Sequence, residues 1–95
     1  MNTTNNEEML FNAILTLKTA DECKAFLEDL CTPQELKALA QRLEVANMLK
    51  EGCNYKAITD KTHASTATVA RVNKTITYQT AGGYELVLKR LKGDE

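Results

Sequence analysis

The sequence predicts an all-α chain of six helices, and three observations carry that prediction. Leu, Ala, Glu and Lys, all strong helix formers, are abundant, while the only proline is Pro33 and glycine is confined to positions 52, 82, 83 and 93. Apolar residues recur at three- and four-residue spacing, and no stretch alternates with period two. Helix-start signatures return at intervals of one helix length. Ninety-five residues fit one domain spanning 1–95 rather than two cores, and 43% hydrophobic with 26% charged residues is ordinary for a packed chain.

The first helix is expected from about Glu7 to Leu17 behind Asn6 as its cap, with Leu10, Ala13, Ile14 and Leu17 on one stripe. The second opens on Thr19-x-x-Glu22, a capping box in which each side chain satisfies the other's free backbone N–H, and carries Cys23, Phe26, Leu27 and Leu30 inward. The third has the strongest start: Thr32 as cap, Pro33 where no N–H is needed, and Glu35 closing a second box. Its expected apolar face is Leu36, Leu39, Ala40, Leu43, Ala46 and Leu49 or Met48, and Gly52 ends it in the left-handed region. Asn54 caps a two-turn helix, Tyr55 to Thr62, and Ser65 caps the next, Thr66 to about Ile76. After Gly82-Gly83 a closing helix runs from Tyr84 to Leu91 with Leu88 and Leu91 facing inward.

Only His63, Ala64 and Ser65 separate the fourth and fifth helices, the length of turn a helix-turn-helix requires. Ile58, Ala64, Val69 and Val72 fall at separations that bury one shared seam, with small Ala57 permitting close approach. The segment from 54 to about 76 therefore reads as a helix-turn-helix. His63 stands where such units usually place a left-handed glycine, a conformation His tolerates at some cost.

The outward face of the fifth helix is then Thr66, Ala67, Ala70, Arg71 and Lys74. Small residues let a backbone approach base edges, Thr and Ala methyls match the thymine methyl, and Arg matches guanine. Ser65 and Thr66 offer backbone N–H groups to a phosphate, and Lys56 and Lys74 offer cations. Charge segregates in the same sense. Residues 1–35 hold two lysines against seven acids, and residues 36–95 hold ten cations against six acids. The expected partner is double-stranded DNA; the alternative is a helix-turn-helix module that docks onto another protein without specific DNA binding.

The joined strings RLEVA and ASTATVARV, the TPQELKALAQRLEVA opening of the third helix and the LFNAILTLKTADEC segment resemble the Trp repressor family, most closely its short YerC/YecD-like branch, over nearly all the chain. The resemblance implies an intertwined homodimer of six-helix subunits whose two heads meet successive major grooves, and a transcriptional regulator acting as a repressor. Several amphipathic helices in so short a chain point to the same dimer, because one subunit cannot hide all their apolar faces.

In that family a corepressor amino acid is held by two arginines and nearby threonines, and the matching positions are Arg42, Arg71, Thr32 and Thr68. Where the tryptophan binders have glycine, this chain has Val72, whose isopropyl group takes space an indole needs. Either Val72 fills the slot and holds the reading head in a binding geometry, or a smaller effector uses the two arginines. A bland reading of Arg42 is an exposed ion pair with Glu35 or Glu44.

Other classes find little support. With one histidine and no C-x-x-C spacing among Cys23, Cys31 and Cys53, no metal site or nucleophile–base pair is indicated, so no enzyme, metal or cofactor is expected. Tyr55, Tyr78 and Tyr84 are too scattered for a base-stacking platform. No apolar run approaches the roughly 18 residues of a membrane span, and the start MNTTNNEEML lacks the features of a signal peptide, so the expected location is the cytoplasm without membrane contact.

Overall fold

The structure is a computed structural model that describes residues 5–78 and 81–93. Among the described residues there are six α-helices and no strand: α1 (Asn6–Leu15), α2 (Ala20–Leu30), α3 (Pro33–Lys50), α4 (Tyr55–Thr62), α5 (Thr66–Tyr78) and α6 (Gly83–Leu91). They fall into two compact units, Met1–Leu36 and Lys37–Glu95.

In the first unit the caps define the helices. Asn5, not Asn6, caps α1, its Oδ1 accepting from the Glu8 N–H at 2.7 Å. With Asn5 as cap, Glu8 becomes the third helical residue, whose N–H the cap side chain takes, and Glu7 and Glu8 stay in the first turn, where the helix dipole favours negative charge. α1 also stops at Leu15, short of Leu17, and the Thr16 hydroxyl donates to the Ala13 carbonyl at 2.6 Å. At α2 the Thr19 hydroxyl accepts from Glu22 N–H at 3.1 Å, but the Glu22 carboxylate reaches back to the N–H of Lys18 at 2.8 Å rather than to that of Thr19. At α3 the box closes fully, Glu35 N–H to Thr32 Oγ1 at 3.1 Å and Thr32 N–H to Glu35 Oε1 at 2.8 Å. The expected stripe of α2 is half-buried at Cys23, Phe26 and Leu27, whereas Leu30 is exposed.

The second unit holds the core. Val45, Ala46, Ile58, Ala64, Val69, Val72 and Leu88 are buried together, with Met48, Leu49, Cys53, Ile76 and Tyr84 packed around them. Each fully buried Val or Ile contributes about 1.5–3 kcal/mol relative to exposure. Four expectations need correction. On α3 the core takes Val45 beside Ala46, while Leu39 and Leu43 are exposed. Apolar residues run around more than one side of α3, so spacing alone does not choose the face that packs. Leu91 is 68% exposed, because α6 inserts Leu88 and ends within a turn of it. Ala57 is also exposed; the close approach in the turn is made by buried Ala64 and Thr62 instead. α5 continues to Tyr78, past Ile76.

Gly52 ends α3 as expected. At φ 87° it lets its own N–H reach the Leu49 carbonyl and the Cys53 N–H reach that of Met48, both at 3.0 Å, the paired bonds of a Schellman turn. The same end of α3 is pinned to the first turn of α6 by the Lys50–Glu85 ion pair. The hydrogen bond from Lys50 and its charge hold the Glu85 carboxyl below its ordinary value of 4.5.

A carboxylate with a depressed folded-state pKa stabilises above its unfolded value and loses that contribution as pH falls through the folded value. Urea midpoints of the native chain and of Glu85→Gln are therefore expected to differ at pH 6, with the native chain the more stable. The gap should close in acid below the carboxylate range; a gap that persists there would show that Glu85 acts through packing instead.

Candidate nucleic-acid interface

Two capped helices and a locked turn build the site. Asn54 Oδ1 accepts from Ala57 N–H at 2.8 Å and starts α4; Ser65 Oγ accepts from Thr68 N–H at 3.1 Å and starts α5. Between them His63 adopts φ 62°, ψ 16°, and its N–H closes α4 on the Thr59 carbonyl at 2.9 Å. The left-handed turn residue expected from position 63 is thus present, and its side chain is exposed.

The turn is held from inside by Thr62. Its buried hydroxyl donates to the Ile58 carbonyl at 2.8 Å and accepts from the Ala64 N–H at 3.1 Å, joining the last turn of α4 to the start of the seam on α5. Gln41 on α3 donates its side-chain N–H to the Thr62 carbonyl at 3.2 Å, so the turn is also tied to the long helix. Farther along, Asn73 Nδ2 donates to the Tyr55 hydroxyl at 3.2 Å, linking the start of α4 to the middle of α5. Ile58 and Val69 are fully buried between the two helices, and Val72 is 2% exposed.

Sequence reasoning passed over Thr62, Gln41, Tyr55 and Asn73 as positioning residues. For Thr62 a local signal existed, since a hydroxyl two residues before a buried amide can cap it as Ser/Thr turns do. The Gln41 and Asn73 bonds span 21 and 18 residues, and no local pattern announces them.

With the seam buried, Ser65, Thr66, Ala67, Ala70, Arg71 and Lys74 are all exposed. At the helical increment of about 100° per residue, the five from Thr66 to Lys74 lie within an arc of about 140°, and Val69 and Val72 point the other way. Lys56 projects from α4 and pairs with Asp60 at 3.1 Å, and Lys61 lies 3.9 Å from Glu44. Arg71 and Lys74 enter no ion pair among the described residues.

The residues matched to an effector site are placed as follows. Arg42 is half-buried on α3 and enters no ion pair among the described residues; Glu44 lies 3.9 Å from Lys61 instead. Thr68 is half-buried, with its hydroxyl accepting from Ser65 at 3.1 Å. Thr32 belongs to the first unit and spends its hydroxyl on Glu35 N–H. Glu35, the other candidate partner of Arg42, caps Thr32 in return.

Two substitutions probe the turn. His63→Gly relieves the left-handed strain and should leave the melting temperature unchanged or raised; a clear fall would show that the imidazole makes a stabilising contact. Thr62→Val keeps the shape but strands the buried Ala64 N–H, and is expected to lower stability by about 1–3 kcal/mol in urea denaturation.

The chain is similar to known proteins. The chain matches the model of the Trp repressor protein family over residues 5–92. It is 50% identical over 88 residues to the uncharacterised protein YerC of Bacillus subtilis (strain 168), covering 93% of this chain and 84% of that one. Its fold superposes on the crystal structure of a TrpR-like protein from Eubacterium eligens ATCC 27750 with a TM-score of 0.87 and 46% identity, covering 97% of this chain and 95% of the other. A second crystal structure, from Staphylococcus aureus, gives a TM-score of 0.85 at 42% identity, covering 90% of this chain and 84% of that one. Six helices in this order, a locked left-handed turn between α4 and α5, and a match across almost the whole chain make it a member of the Trp repressor family, a family of helix-turn-helix regulators rather than enzymes.

Proposed function

We propose that this chain is a sequence-specific DNA-binding transcriptional regulator that acts in the cytoplasm as a homodimeric repressor, the whole of residues 1–95 serving as one functional domain. The observation that carries the reading is the division of α5: Val69 and Val72 seat it on the core, and Ser65, Thr66, Ala67, Ala70, Arg71 and Lys74 are left exposed as one face. Small side chains there allow base edges to approach the backbone, and the exposed start of α5 presents N–H groups to a phosphate.

The dimer is supported by what a single chain leaves uncovered. Met9, Phe11 and Leu15 on α1 and Leu86, Val87 and Leu91 on α6 are all exposed, large apolar side chains on helices of each unit that a partner chain would cover. A two-fold dimer would cover such faces and set two heads about 34 Å apart, one turn of duplex.

On this reading tryptophan is not the effector. Val72 packs into the core with Ile58, Val69 and Leu88, and the family resemblance puts it where the tryptophan binders have glycine. Its burial supports a reading head held in place without a corepressor, with Val72 as a permanent filler.

The test is selection of duplexes from a random pool at two salt concentrations, with and without added amino acids. Enrichment of a palindrome without ligand is the expected result; enrichment only with one amino acid would assign the Arg42, Thr68, Arg71 and Thr32 set to an effector. Lys74→Gln should weaken binding to every duplex and flatten the salt dependence by about one unit, and Thr66→Ala should relax preference at one base position. If no duplex is enriched and neither substitution changes DNA affinity, the domain docks onto protein instead.

A further inference from the structure

Asp60 is the only acid between Asn54 and Tyr78, a stretch that holds Lys56, Lys61, Arg71 and Lys74. It is exposed on α4, with its carboxylate 3.1 Å from the Lys56 ammonium, and both side chains stand largely in solvent, 84% exposed for Lys56 and 66% for Asp60. Helix physics gives no reason for an acid there. Asp is a poor interior helix residue, and position 60 lies near the C-terminal end of α4, where the helix dipole disfavours negative charge. The pair also runs Lys before Asp, the weaker of the two i,i+4 orders, and an exposed pair contributes little to stability. A residue that breaks several local rules without a packing role invites a functional explanation.

Building on the DNA-binding reading, we infer that Asp60 is an affinity-limiting residue of the helix-turn-helix: it occupies the Lys56 ammonium in the free protein and thereby weakens sequence-independent attachment to the phosphate backbone. To reach a phosphate Lys56 gives up this partner, and the carboxylate left behind repels the same phosphates. Backbone attachment supplies essentially all non-specific binding, so restraining it raises the ratio of specific to non-specific affinity without altering base contacts. Arg71 and Lys74, free of ion pairs among the described residues, remain available on the reading face.

The experiment compares the full-length protein with Asp60→Asn, Lys56→Gln and the double variant. Each is titrated against an arbitrary duplex and against a duplex enriched from the random pool, from about 50 to about 200 mM salt, a range over which phosphate contacts dominate the change in affinity. Asp60→Asn is expected to bind the arbitrary duplex roughly three- to tenfold more tightly at low salt, with a slope of log affinity on log salt steeper by about one. The gain should disappear in the Lys56→Gln background, base preference should be unchanged, and the melting temperature should not fall. Equal affinity and slope for Asp60→Asn, while the native chain binds with clear salt dependence, would overturn the inference and leave the DNA-binding reading standing. The full gain persisting without Lys56 would overturn the pairing, and a lower melting temperature would show Asp60 to be structural. Failure of every form to bind either duplex would remove the DNA-binding reading, and this inference with it.

Discussion

One buried hydroxyl sets the geometry on which the α4–α5 pair depends. Thr62 closes α4 on the Ile58 carbonyl and accepts the Ala64 N–H, so the chain leaves the helix, passes through His63 in the left-handed region and enters α5 along one defined path. Three residues cannot absorb a misplaced turn. Because Ala64 and Val69 enter the core immediately afterwards, the direction of α5, and therefore the face it exposes, follows from that path. Gln41 carries the constraint to α3 by holding the Thr62 carbonyl, and Asn73 with Tyr55 holds the two helices together farther from the turn.

The core that supports this turn is small, and its economy shapes the rest of the chain. Among the described residues the buried ones come from α3, α4, the turn, α5 and α6, each contributing only one or two. Short aliphatic groups fill it, which suits helices that must approach closely, and Val72 takes its place among them as a packing residue. The cost is that leucines on α1, α3 and α6 stay uncovered in a single chain. In the proposed dimer, folding and association draw on the same apolar surface, so stability would depend on protein concentration.

Electrostatics divides along the chain in a way that packing does not require. Two of the four cations of the α4–α5 segment face carboxylates, Lys56 that of Asp60 and Lys61 that of Glu44, whereas Arg71 and Lys74 pair with none among the described residues. Exposed pairs of this kind add little to stability, so their weight falls on what the surface attracts. On the proposed DNA-binding reading, a head with only part of its charge at liberty is suited to discriminate among duplexes rather than to cling to all of them.

Local chemistry determined a large part of this protein by itself. Asn54, Ser65, Thr32 and Thr19 mark helix starts because each side chain caps an amide only three residues away, and Gly52 marks a helix end because few other residues enter the left-handed region freely. The Ile58–Ala64–Val69–Val72 seam was legible for the same reason: its spacing is short and periodic. Where two local choices were nearly equal, as between Asn5 and Asn6, the sequence was ambiguous by one residue. Tertiary structure alone decided that Val45 rather than Leu39 and Leu43 enters the core, that Leu91 stays outside, and that Gln41 and Asn73 brace the turn. Those outcomes depend on which surfaces meet across many intervening residues, and an apolar side chain or a polar amide carries no mark of its distant partner.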